Sequence, residues 1–116
     1  MTIRRLKTYA GTQGYVYQYY FVGQRPSESA GATEYVFDVT SDRKITYPVS
    51  VILPQGVVAA WNQEHGRQLT GTEQYAAAKL RLFRAFDELA DMRTAGQRLH
   101  IEREFLEDSL AGLGVN

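Results

Sequence analysis

The run 14–23, GYVYQYYFVG, limits the possible folds more than any other part of the chain. β-Branched and aromatic side chains suit a pleated strand better than a helix, and glycine bounds the run at both ends. Side chains alternate across a strand with a period of two. Tyr15, Tyr17, Tyr19 and Phe21 therefore share one face, while Val16, Gln18, Tyr20 and Val22 share the other. Bulk on both faces predicts a central strand that needs two covers.

The first half of the chain continues this pattern. Residues 3–9 read as a shorter strand, joined to the first by a turn around Gly11. Residues 23–33, GQRPSESAGAT, lack bulky apolar side chains and read as a mobile surface loop. Beyond it, Tyr35, Phe37 and Val39 alternate with polar or smaller neighbours, and Ile45, Tyr47, Val49, Val51 and Leu53 do the same. If these odd-numbered residues share a core face, opposed residue numbers must sum to an even number. The hairpin loop then holds three residues, 41–43, or five, 40–44, unless a bulge intervenes. Pro48 cannot donate to a ladder, so its strand belongs at a sheet edge or carries a bulge.

The second half is helical. Pro54 opens a short helix carrying Val57, Val58 and Trp61, and Gly66 ends it. Thr70 and Glu73 have the spacing of a capping box, so a second helix begins there. Its apolar stripe runs through Tyr75, Ala76, Leu82, Phe83, Phe86, Leu89 and Ala90 to about Met92. The tail from Gln97 reads as a short strand followed by a short helix, with one continuous helix as the alternative. These readings predict an α+β fold in a single domain, 1–116. An antiparallel meander of about four strands is followed by two or three helices packed on one face.

Composition narrows the function classes. Thirteen basic and thirteen acidic residues give no net charge, so no global field draws nucleic acid or an acidic membrane. Cysteine is absent, which removes thiolate nucleophiles and thiolate metal sites. His65 and His100 have no metal-ligand partner at helical or hairpin spacing, and His65 reads as a cap at a helix C-terminus. Neither a metal nor a cofactor is expected. There is no G-x-S-x-G elbow, phosphate loop or dinucleotide fingerprint, and the carboxylates fall beside arginines on helix faces expected to be wet. The chain reads more readily as a non-enzymatic protein than as an enzyme. No apolar run is long enough to span a bilayer and MTIRRLKTYAG lacks the pattern of a secretory signal, so a cytoplasmic location is the default.

Three functions fit these features. In the first, the protein is an interaction module, a homodimer or the binder of a protein partner. It would use Tyr15, Tyr17, Tyr19 and Phe21 on an uncovered sheet face, or the strand edge at Pro48. In the second, Tyr17 and Tyr19 stack the bases of single-stranded nucleic acid beside Arg4, Arg5, Lys7 and Arg25. These four cations lie within the first 26 residues, which contain no acid. The segment QGYVYQYY is not an RNA-recognition strand, because it lacks the basic residue before Gly14 and has Val16 where a small residue is required. In the third, a pocket for a small molecule lies near Trp61, Tyr75 and Lys79. Lys79 is the anomaly there, a charge inside the apolar stripe of its helix.

Overall fold

A computed structural model describes residues 6–27 and 31–116. Five strands and four helices follow in the order β1 (Lys7–Ala10), β2 (Val16–Pro26), β3 (Ala32–Thr40), β4 (Tyr47–Pro54), α1 (Gln55–His65), α2 (Gly71–Glu88), α3 (Met92–Ala95), β5 (Arg98–His100) and α4 (Arg103–Gly112). The strands form one sheet in sequence order, antiparallel from β1 to β4, with β5 added parallel to β4. This is the α+β class. The meander has the four strands expected, and the tail strand returns after three helices to add a fifth. Among the described residues no helix is long and apolar enough to cross a membrane.

The register of β2 settles which face the helices take. Tyr17 and Tyr19 point under α2, where Tyr17 stacks on Phe86 at 4.2 Å and Tyr19 meets Phe83 edge to face at 5.5 Å. Tyr35, Phe37, Val39, Tyr47, Val49, Val51 and Leu53 share this buried side, so β3 and β4 have the predicted parity. Opposed numbers in their ladder do sum to an even number, as Phe37 with Val49 shows. The connection is longer than predicted. Residues 41–46 lie outside both strands, and Ile45 is exposed instead of joining the core face. The reason is local: the Thr40 hydroxyl accepts from the amides of Asp42 and Arg43, and the Asp42 carboxylate accepts from those of Lys44 and Ile45. Side-chain bonding of this kind competes with the ladder and peels the chain away from it.

The segment 23–33 is mostly strand, contrary to its composition. β2 runs on to Pro26 and β3 starts at Ala32, because ladder pairing with β3 supplies what weak propensity does not. One residue is extra: Phe21 opposes Phe37 but Gly23 opposes Val36, so Val22 forms a β-bulge. The bulge inverts the parity beyond it. Arg25, odd-numbered like the buried tyrosines, thereby sits opposite Glu34 on the other face of the sheet.

The helices cover only the tyrosine face. α1 ends at Gly66 in the left-handed conformation with φ 69°, as the glycine predicts. α2 opens on the predicted capping box, with Thr70 accepting from the Glu73 amide and Glu73 accepting from the Thr70 amide. It stops at Glu88, short of Met92, because Leu89 is extended and Asp91 caps the separate helix α3. Phe86, Leu82, Ala85, Trp61, Leu106 and Leu110 from three helices complete one core with the sheet.

Candidate functional site

The face opposite the helices bears Val16, Gln18 and Tyr20 of β2, Glu34, Val36, Asp38 and Thr40 of β3, Pro48, Ser50 and Ile52 of β4, and Arg98 and His100 of β5. Among the described residues no helix lies over it, although Glu34, Thr40 and Ile52 are buried within it. Val16 and Val22 are exposed, and Val36 is half-buried beside the Gly23 gap that the bulge leaves. Val22, Gly23, Arg25 and Val36 line a shallow depression of about 180 Å³ on this face.

Two polar pairs, one of them an ion pair, border the apolar depression at Val22 and Val36, and the first separates it from Val16. On one side the Tyr20 hydroxyl donates to Asp38 Oδ2 at 2.6 Å. On the other, Arg25 Nε donates to Glu34 Oε1 at 2.9 Å. Glu34 is buried, and hydrogen bonds from Arg25 and then Ser50 hold its carboxyl below the usual carboxylate range despite desolvation. Arg98 stands across β4, opposite Ser50. The face thus carries Arg25 and Arg98 against Glu34 and Asp38, with no net charge.

Of the residues predicted to meet a partner, the structure places only Pro48 on this open face. Its strand is internal where β5 pairs with Ser50 to Ile52 and an edge before that. The Ser50 amide donates toward β5, to the Gln97 carbonyl, so the proline nitrogen two residues earlier faces the stretch that β5 does not reach. Tyr17 and Tyr19 are 2% and 4% exposed, Phe21 packs edge-on against Tyr75, and only Tyr15 of the four is exposed. Apart from Tyr15, the row therefore belongs to the core.

This placement also removes the stacking platform proposed for nucleic acid, because no base reaches Tyr17 or Tyr19 beneath α2. Arg25 is committed to Glu34, Lys7 lies exposed on β1, and Arg4 and Arg5 lie outside the described residues. The small-molecule pocket fares similarly. Trp61 stacks on His65 at 4.1 Å with Arg67 on its ring, Tyr75 packs on Phe21, Tyr35 and Phe37, and Lys79 lies by Phe83. Each is engaged by different neighbours. His65 bonds to Glu107 of α4 at 2.9 Å, which pins α1 to α4, while His100 is exposed.

The residue pattern did not flag two features. One is the pairing of Tyr20 with Asp38 and Arg25 with Glu34, which requires the register and the bulge. The other is an open groove of about 430 Å³ between α2 and α4, lined by Arg84, Glu102, Glu104, Phe105, Asp108 and Ser109. Arg81 and Arg84 both approach the Phe105 ring there, at 6.0 and 5.4 Å. Their spacing of three on one helix is the only sequence signal of it. Among the described residues no group of three or more histidines and carboxylates could hold a metal. Comparison with known protein families, with characterised proteins and with solved structures returned no match to this chain.

Proposed function

We propose that this protein is a non-enzymatic interaction module that pairs with a second copy of itself through the open face of its sheet. The observation that carries this reading is the one-sided cover: a five-stranded sheet has helices on one face and Val16, Val22 and Val36 accessible on the other. Apolar strips rimmed by polar groups mark contact surfaces. The choice of a second copy rests on charge. Two cations and two anions around one apolar depression suit a partner with the same mixture, and an isologous contact supplies it.

Area is sufficient for a weak contact. Five strands about 4.8 Å apart, three to eleven residues long and about seven on average, offer at about 3.3 Å per residue on the order of 550 Å² per copy. Two copies then bury about 1,100 Å², the size of weak, exchanging contacts rather than of stable ones. The affinity expected is accordingly modest, with exchange between monomer and dimer.

Sedimentation velocity over a concentration series tests this. The wild type is expected to move toward twice the monomer mass as concentration rises. The double variant Val16→Asp, Val22→Asp changes only exposed positions and is expected to stay monomeric with an unchanged far-UV spectrum. A wild type that remains monomeric at high concentration overturns the reading, and so does a variant that still dimerises.

A further inference from the structure

The rim where β1 meets α2 holds two lysines that the proposed interface does not use. Lys7 opposes Tyr19 in the ladder, so its side chain leaves the sheet on the helix-covered side. Lys79 precedes Phe83 by one turn of α2, and Phe83 packs on Tyr9 at 4.4 Å and on Tyr19 at 5.5 Å. Strand register and helical spacing thus bring two ammonium groups to one place. Lys79 Nζ lies 5.8 Å from the centre of the Phe83 ring. Burial, and then the adjacent Lys7 ammonium, lower the Lys79 pKa.

Neither lysine forms an ion pair among the described residues. A surface lysine next to a like charge normally swings into water, but Lys79 is half-buried along its aromatic neighbours and has less freedom to do so. An unbalanced pair of cations held together in this way is the electrostatic complement of a dianion with several acceptor oxygens.

We propose that Lys7 and Lys79 together bind a dianionic phosphate group at the rim between β1 and α2. Each ammonium donates to a different phosphate oxygen, and the bound charge relieves the repulsion between the two lysines. The group comes from free phosphate or from a phosphate monoester. An ester would set its organic part against the half-buried Phe83.

The test is a titration at low ionic strength with inorganic phosphate and, separately, with phenyl phosphate, followed by amide chemical shifts and thermal midpoint. Saturable shifts are expected at Lys7 and Lys79, with affinity falling at least about tenfold in Lys79→Gln. At ten times its dissociation constant, phosphate should raise the wild-type midpoint by about 5 °C. It should leave the double variant Lys7→Gln, Lys79→Gln unmoved. Without phosphate that double variant should melt at or above the wild type, because the repulsion is gone. Tighter binding of phenyl phosphate assigns the site to an ester, and tighter binding of inorganic phosphate assigns it to the free ion. The proposal is overturned by shifts that do not saturate, by equal shifts in the double variant, or by sodium chloride at matched ionic strength reproducing the effect. A double variant that melts below the wild type without phosphate also overturns it.

Discussion

At Gly11 the chain has room for a hydrogen and nothing larger. A β-carbon there would stand 2.7 Å from the Phe86 carbonyl oxygen, and the nearest atoms it would meet are all backbone. The turn has little freedom to retreat: Gly11 donates to the Tyr15 carbonyl at 2.9 Å, and the Thr12 amide donates to Asp87 Oδ1 at 3.0 Å. Gly11→Ala should therefore destabilise the protein by about 1–3 kcal/mol, read as a lower urea midpoint with unchanged slope. Gly96→Ala serves as the comparison. Its new β-carbon would meet chiefly the unbranched end of the buried Met92 side chain, which can change rotamer where a backbone carbonyl cannot, and the cost should be smaller. Equal midpoints for Gly11→Ala and wild type would show that the turn is not seated on the helix. The sequence marks Gly11 as a turn residue but not as a contact, because its neighbour Phe86 is brought in by tertiary structure alone. Asp87 illustrates the same limit. Its place among helix-face carboxylates suggests water, yet it accepts from the Tyr9 hydroxyl at 2.8 Å and is half-buried.

Elements specified by local chemistry were legible, and those specified by partners were not. The start of α2 needs only Thr70 and Glu73, three residues apart, and it is where the spacing predicts. The extension of β2 to Pro26 needs β3 beside it, and the bulge at Val22 leaves no mark in composition. The open face was half legible. Parity separates Val16 and Tyr20 from Tyr17 and Tyr19, but with bulk on both sides it does not say which side the helices take. The start of α2 also carries a pH dependence. Hydrogen bonds from Arg67 and then from the Thr70 amide pull the Glu73 pKa from 4.5 down to about 2. Folding favours the ionised carboxylate, so its contribution is complete above about pH 4.5 and is lost as pH falls toward 2. Urea unfolding at stepped pH should show wild-type stability declining through this window. Glu73→Gln, which keeps an acceptor but cannot ionise, should be less stable at pH 6 and decline less steeply. Parallel declines in the two proteins would mean that Glu73 is not coupled to folding.

For the whole molecule, net neutrality conceals how unevenly its groups are spent. Charges of both signs border the open face, while Tyr17, Tyr19, Tyr35 and Tyr47 are sealed between sheet and helices. Burial raises the pKa of all four, and for Tyr47 it does so to about 12. A neutral phenol fits the core and a phenolate does not. In the unfolded chain the same groups ionise near 10. The stabilisation from keeping them protonated is therefore complete below about pH 10 and disappears as pH rises toward 12, so base should unfold the protein cooperatively within that window. Absorbance at the tyrosinate band, followed with far-UV circular dichroism, reads this directly. The buried set should ionise together with the loss of secondary structure. Tyr47→Phe removes one ionisation and should move the unfolding midpoint to higher pH. If all the tyrosinate absorbance develops near pH 10 while the circular dichroism stays native, the tyrosine row is not sealed. Both sides of the sheet would then be accessible, and the argument for pairing through one of them would lose its basis.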